Sequence, residues 1–388
     1  MEVFQVGGAV RDLLLGIKPK DRDWVVVGAD QEELLAKGYK KIGRAFPVFL
    51  HPKTKEEYAL ARTERKNGEG HLGFDLDFNS KVTLEEDLAR RDFTINAIAL
   101  DQYGKLIDPF GGASDLQKKL LRHVTSAFAE DPLRVLRAAR FSAKLEFSIA
   151  RETKVLLSNI VASGELSTLS KERIQQEFIL ALRTITPNKF FKTLHDCGAL
   201  AEILPECNFI ELTSPKSTIY EQFRRLNSPT DADYLVLLAI YVSNLPENPT
   251  KNGFSRLIKR LKFPKVVQEQ VVIASENWKD ILNSSKLSAE SILVLLKRTD
   301  AYRRVTRFKQ ILTSMNSIFS PQSNENDERR GLIFLAHILD NPISNDSSLK
   351  NEGSIKAKST EEIKLDVDMK RIEKINQAQH FFFGNRLN

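Results

Sequence analysis

The spacing of apolar residues changes character at Glu130, and this break constrains the fold more than any other feature of the 388-residue chain. Before it the pattern is mixed. Val3–Val6 is a short apolar run ending in Gly7-Gly8, and Asp21–Gly28 reads as a strand with acidic residues at its start. Phe46–His51 and Tyr58–Arg62 flank a polar turn, Pro52-Lys53-Thr54-Lys55, and read as a hairpin. After Glu130 apolar residues recur three and four apart, and strands vanish. Asp131-Pro132, Ser170 with Glu172, and Thr186-Pro187 are helix starts. The expected fold is an α/β N-terminal domain followed by an all-α C-terminal region. Two breaks interrupt the helices: Ser320–Asp327 is polar and turn-rich, and Asn341–Thr360 reads as a long loop.

Composition closes off several classes. Lys plus Arg is 58 and Asp plus Glu 51, a net charge of +7 that suits a polyanionic partner such as RNA. A 41% hydrophobic and 28% charged composition is that of a globular chain, not a disordered one. Cys197 and Cys207 are the two cysteines, so a disulfide scaffold or a cysteine-built zinc site is excluded and a reducing compartment is expected. The longest apolar run, Tyr234–Val242, is too short to span a bilayer. A protein without membrane association, cytoplasmic, is expected; the oligomeric state is left open.

Two carboxylates carry the first hint of chemistry. On a strand of period two, Asp21 and Asp23 point to one face. Alone they read as a solvated strand end beside Lys18, Lys20 and Arg22. Paired like charges also suit a divalent cation, and Mg²⁺ is commonly held by one or two carboxylates plus substrate phosphates. Gly7-Gly8 directly follows a strand and opens the run Val10–Gly16, where a backbone without Cβ atoms and a helix start accept phosphate. Arg11 lies in the first helical turn, a poor place for a cation unless an anion is near.

Gly7-Gly8-Ala9-Val10-Arg11-Asp12 followed by Lys20-Asp21-Arg22-Asp23-Trp24 resembles the class II CCA-adding tRNA nucleotidyltransferases of the polymerase-beta-like superfamily, most closely the bacterial form. The similarity continues through Pro47–Pro52, Glu57–Lys66, Arg90–Ala97, Asp108–Gly112 and Glu130–Phe141, and persists to about Pro205. It implies a catalytic nucleotidyltransferase head over 1–125, a helical nucleotide-recognising neck over 126–205, and a helical body and tail over 206–388 that bind tRNA. It implies catalytic, Mg²⁺-holding Asp21 and Asp23, and nucleotide contacts at Gly8, Arg11, Arg91, Asp92, Asn96, Asp131, Arg134, Arg137 and Arg140. CTP, ATP and tRNA are the implied partners. Asp75-Leu76-Asp77 is assigned to a flexible loop, not to the metal, and Glu57 matches a possible third carboxylate but reads equally as an exposed hairpin residue.

The residue types suit these roles. Arginine forks suit phosphate, and Asn bonds a ribose hydroxyl or phosphate, although Arg91 also reads as a salt-bridge partner of Glu85, Glu86 or Asp87. Arg134, Arg137 and Arg140 are three apart, so on one helix they span about 120° and can converge on one anion. Cytosine and adenine both present an amino donor on the pairing edge, which Asp131 can accept while Arg134 donates to the adjacent ring acceptor. Uracil and guanine place a carbonyl there, and an unpaired buried polar group costs roughly 1–3 kcal/mol. Asp131 also reads as a simple helix cap.

The sequence departs from many bacterial relatives in lacking a His-Asp phosphohydrolase cluster. His195-Asp196 stands alone, with no further His before His337, so phosphohydrolase activity and a Ni²⁺ site are not expected. Basic clusters at Arg224-Arg225, Lys251, Arg256–Lys262 and Arg303–Lys309 are candidate RNA contacts. Phe381-Phe382-Phe383 reads as a docking contact or core plug. The implied function is CCA addition. The alternatives are a poly(A) polymerase, a CC-only or A-only enzyme, and a catalytically inert RNA-binding protein.

Overall fold

The computed structural model describes residues 1–42, 48–66, 74–77, 80–245, 253–319, 327–340 and 360–384. They divide into two compact units, Met1–Pro215 and Lys216–Asn388.

The first unit begins with a seven-stranded mixed sheet. Its strands are β1 (Glu2–Val6), β2 (Asp23–Val27), β3 (Lys40–Ile42), β4 (Val48–Leu50), β5 (Glu57–Leu60), β8 (Ala99–Leu100) and β9 (Leu106–Ile107). They lie in the order β3-β4-β5-β2-β1-β8-β9. Only β2 and β5 run parallel, with Asp23 opposite Glu57. Period two explains why both faces are buried. Phe4, Val6 and Val25 pack on one side with Leu88 and Ala97, whereas Val26, Tyr58 and Leu60 pack on the other with Leu34 and Phe49. Helix α1 (Gly8–Leu14) follows β1, α2 (Gln31–Ala36) follows β2, and α3 (Leu84–Ala89) precedes the Arg90-Arg91-Asp92 turn. A Thr83/Glu86 capping box starts α3.

Three local expectations are corrected. The strand begins at Asp23, and Asp21 lies in the bend before it, so strand periodicity does not place both carboxylates on one face. Asp75–Asp77 lie in β7 (Phe74–Asp77), which pairs antiparallel with β6 (Thr63–Lys66), so this stretch is half of a ribbon. A strand also survives beyond Glu130: β11 (Ser148–Ile149) pairs parallel with β10 (Leu120–Leu121). The expected hairpin is present as β4 and β5. Phe46 and Pro47, residues 71–73 and 78–79 on either side of Asp75-Leu76-Asp77, Lys251, and most of the two expected breaks lie outside the described residues.

The rest of the first unit is helical. After α4 (Gly112–Gln117) come α5 (Leu133–Leu145), α6 (Arg151–Ala162), α7 (Lys171–Leu182) and α8 (Pro187–Asp196). Helix α5 buries Val135, Leu136, Ala138, Ala139 and Ala143 against α7 and α8, leaving the interleaved arginines on another face. Ser170 caps α7 by accepting from the Arg173 amide, and Pro187 occupies the first turn of α8.

The second unit is helical throughout its described residues. The Asp231–Ser243 helix is apolar on nearly all sides and buries Leu235–Ile240. It packs against the Lys265–Leu282 and Val305–Asn316 helices. Phe382 and Phe383 pack on Phe334, while Phe381 is exposed, so the Phe triplet is mainly a core plug. Cys197 and Cys207 are both free thiols. Among the described residues no helix is long and apolar enough to cross a membrane.

Candidate active site

A cavity of about 530 Å³ opens where the end of β1 and the start of β2 meet the Arg90–Asp92 turn and the start of α5. Eight arginines and Lys144 line it, against the carboxylates Asp23, Asp92 and Asp131. That excess of positive side chains suits a polyanionic ligand. Ten of the eleven residues expected at the site reach it: Gly8, Arg11, Asp23, Arg91, Asp92, Asn96, Asp131, Arg134, Arg137 and Arg140. Asp21 does not line it; it stands exposed in the bend beside Asp23.

The glycine pair is shaped by its neighbours. Gly7 has φ +70°, which L side chains rarely adopt, and a Cβ there would lie 2.9 Å from Arg91 Nη1. Its positive φ turns the chain from β1 into α1 while letting Arg91 approach the backbone. Arg11 is buried; its Nη1 donates to Asn96 Oδ1 at 2.8 Å and its Nη2 to Asp12 Oδ1 at 2.6 Å. The conflict expected of a cation at this helix start is therefore already answered by Asp12.

Asp23 is pushed above its ordinary pKa by burial, with Asp21 raising it further and Arg91 pulling it back. Two carboxylates this close in the chain repel each other, a repulsion that a divalent cation would relieve, so these residues fit such an ion. Glu57 stands in register with Asp23, but among the described residues no group of three or more His, Cys, Asp or Glu could hold a metal ion. Further ligands would then come from substrate phosphates or water.

Two carboxylates that line or adjoin the cavity organise arginines. Asp87, fully buried, accepts from Arg90 Nη2 at 2.6 Å, from Arg91 Nη2 at 3.0 Å and from the Arg62 amide at 3.3 Å. Burial alone would raise its pKa, but Arg90 and Arg91 outweigh this and hold it below the usual carboxylate range. Asp92 accepts from Arg137 Nη2 at 2.6 Å, Asn96 Nδ2 at 2.9 Å and the Phe93 amide at 2.8 Å. It too is held low against its burial, chiefly by Arg137. Asp92 is thus the anchor of Arg137 and Asn96.

Helix α5 carries its arginines as its period requires. Arg137 and Arg140 flank Phe141, with guanidinium carbons 5.5 and 4.4 Å from the ring centre, and Arg11 approaches the same ring at 5.4 Å. Glu177 on α7 accepts from Arg140 Nε at 2.5 Å. Arg134 donates to the Ala127 and Arg90 carbonyls at 3.0 and 2.5 Å, which sets the plane of its guanidinium. Asp131 accepts from the Leu133 amide at 3.1 Å and from Arg173 Nη2 at 2.8 Å. Its capping contact and its place in the cavity coexist.

Sequence reasoning missed Asp87, Arg173, Glu177, Lys144 and Phe141. Phe141 and Lys144 were within reach of it: they extend the Arg134–Arg137–Arg140 face by helical spacing. Asp87 lies one α3 turn before Arg90-Arg91 and was present there only as an alternative salt-bridge partner. No spacing rule pairs Arg173 or Glu177 with residues some forty positions earlier.

A mixed sheet whose central strand begins at Asp23, with Asp21 in the bend before it, next to a cation-rich cavity that a helix lines with arginines, defines a polymerase-type nucleotidyltransferase. Comparison with known proteins agrees. Residues 3–122 match the family described as the poly A polymerase head domain, and residues 146–210 match the probable RNA and SrmB-binding site of polymerase A. The chain is 44% identical over 343 residues to the multifunctional CCA protein of Vibrio parahaemolyticus, covering 80% of this chain and 84% of that one. It is 48% identical over 316 residues to the multifunctional CCA protein of Pseudomonas putida, covering 81% and 83%. Its fold is similar to that of the Thermotoga maritima CCA-adding enzyme complexed with tRNA, with a TM-score of 0.65 at 22% identity over 99% and 91% of the two chains. The chain belongs to the CCA-adding tRNA nucleotidyltransferases, enzymes that generally use a divalent metal.

Proposed function

We propose that this protein adds CCA to tRNA 3′ ends from CTP and ATP, without a nucleic-acid template, and releases pyrophosphate. The observation that carries this is one cavity holding Asp23, the arginine stripe of α5 and the Asp131/Arg134 pair. The roles divide along the chain: residues 1–125 as catalytic head, 126–205 as nucleotide-recognising neck, and 206–388 as tRNA-binding body and tail. We place the enzyme in the cytoplasm, where its tRNA substrate and reduced thiols belong together.

Asp21 and Asp23 are the residues that would hold Mg²⁺, which when bound lowers the pKa of the primer 3′-hydroxyl and neutralises triphosphate charge. The chain's own groups do the rest. Gly7 and Gly8 let the triphosphate approach the backbone. Arg11 and Arg91, held by Asp12, Asn96 and Asp87, present fixed guanidinium groups to it. Arg137 and Arg140 continue that positive surface along α5. Asp131 accepts from the amino group of cytosine or adenine while Arg134 donates to the ring acceptor. A uracil or guanine carbonyl would face the Asp131 carboxylate with no proton between them. Several cations expected to meet RNA in the second unit are already paired: Arg304 and Arg307 with Glu269, Lys309 with Asp340, and Arg225 with Glu221. Arg224, Arg256 and Lys259, all exposed, are therefore the stronger phosphate contacts of those clusters.

The test is primer extension by purified protein with Mg²⁺ and labelled CTP or ATP on tRNA transcripts ending before CCA, after C and after CC. Stepwise growth to CCA, lost in Asp21→Ala/Asp23→Ala, is the expected result. Arrest at CC, growth only from CC, or long A tails would each replace this function by a narrower or different one. No incorporation by folded protein would refute catalysis altogether.

A further inference from the structure

Asp131 is the carboxylate to which the reading above gives base selection, and a carboxylate can select only if its orientation is fixed. Both of its oxygens are tethered in the structure. Oδ1 accepts from the Leu133 amide at 3.1 Å, a contact within its own turn. Oδ2 accepts from Arg173 Nη2 at 2.8 Å, a contact across 42 residues. Each carboxylate oxygen has two acceptor sites, so these two bonds leave one direction on each oxygen for a nucleobase.

Arg173 is an odd residue for its place. It lies in the first turn of α7, where a cation opposes the helix dipole, yet its side chain is largely buried at the cavity wall. Asp131 offsets that cost. One turn later, Glu177 bonds Arg140 of α5. Helix α7 thus sends a cation to the acidic start of α5 and an anion to its basic middle, on one face at i and i+4. The two pairs have opposite polarity, so sliding or rotating α5 against α7 would break both and set like charges together.

We infer that Arg173 is a specificity-positioning residue: it holds the Asp131 carboxylate in the orientation that accepts the amino group of cytosine and adenine. This rests on the base-reading role of Asp131 proposed above. Loss of Arg173 then lets the Asp131 side chain rotate. The orientation that favours C and A over U and G blurs, while Arg11, Arg91 and Arg137 remain held by Asp12, Asp87 and Asp92.

The experiment measures single-nucleotide kcat/KM for CTP, ATP, UTP and GTP on the matching tRNA transcripts, in full-length wild type, Arg173→Ala, Arg173→Lys, Asp131→Ala and the Arg173→Ala/Asp131→Ala double variant. Ser170→Ala serves as a stability control, because Ser170 caps α7 without lining the cavity. The expected result is a roughly tenfold fall in the C-over-U and A-over-G ratios for Arg173→Ala. Arg173→Lys should restore part of it, Ser170→Ala should lower the melting temperature with ratios unchanged, and Arg173→Ala should have no further effect once Asp131 is gone. Equal loss for all four nucleotides in Arg173→Ala would show a merely structural pair and overturn the inference. If Asp131→Ala collapses the ratios and Arg173→Ala does not, the inference fails and the base-reading role stands. If Asp131→Ala leaves the ratios intact, that role fails and the inference falls with it.

Discussion

Replacing Asp87 by Asn probes how the triphosphate arginines are held in place. The Asp87 side chain has no solvent exposure, and it bonds Arg90, Arg91 and the Arg62 amide. Asn keeps the shape and one acceptor oxygen but removes the charge that separates two adjacent guanidinium groups. Breaking a buried ion pair costs about 3–5 kcal/mol. The two arginines are 17% and 18% exposed and the amide retains an acceptor, so a loss of about 2 kcal/mol is the discounted expectation. For a unit of this size that lowers the melting temperature by about 4–8 °C. Arg91, no longer clamped, should bind triphosphate less well by about 1 kcal/mol, a roughly fivefold rise in KM for CTP and ATP alike. Little change in kcat is expected.

The acid limb supplies an independent check. Burial pushes Asp87 up, but its arginines hold its pKa below the ordinary 3.8 in the folded protein. A depressed carboxylate contributes stability that is complete above the unfolded pKa and is lost as pH falls through the folded one. The stability gap between wild type and Asp87→Asn should therefore be full at pH 7 and close only below about pH 4. Calorimetry and initial rates across CTP concentrations measure both effects. Unchanged stability together with unchanged KM would refute the assignment of Asp87 as the clamp. A fall in kcat with KM unaltered would place its role elsewhere.

Two further substitutions follow from packing and pairing. Gly112→Ala would set a Cβ 2.1 Å from the Thr94 carbonyl oxygen and 2.8 Å from Ile98 Cγ1, so urea unfolding should show a loss of about 3 kcal/mol. A midpoint equal to wild type would mean that α4 moves away from Thr94 without cost. Glu177→Gln removes the charge partner of Arg140 and should raise KM for both nucleotides a few-fold, with about 1–2 kcal/mol lost in stability. Nucleotide titration followed by intrinsic fluorescence would detect the weaker binding directly, and tighter binding would contradict it.

The family was legible because its motifs stand in order along the chain, and the residues that line the cavity were foreseeable where their placement depends on local rules. Helix α5 turns about 100° per residue wherever it lies, so Arg134, Arg137 and Arg140 had to share a face. Ser170 and Pro187 announce their helices because caps and first-turn prolines act within a few residues. The short apolar runs of β1 and β2 were equally readable as strands, as each strand buries residues on both sides. The placement of Asp21 misled for the same reason. Periodicity holds only inside a strand, and the backbone leaves the strand one residue before Asp23.

What sequence alone determined, then, is which residues carry charge to which face of which element, since φ/ψ preferences, capping and periodicity act over one or two turns. What only tertiary structure decided is which distant hydrogen-bonding or charged partner each one meets. Arg11 meets Asn96, Arg137 meets Asp92, Arg140 meets Glu177 and Arg173 meets Asp131, across 85, 45, 37 and 42 residues. An ion pair has no sequence period: it forms where burial strips water from two groups that the crossing of helices and sheet has brought within about 3 Å. The chemistry of the cavity was written along the chain, but the orientation of each group in it was set by the packing of α3, α5 and α7.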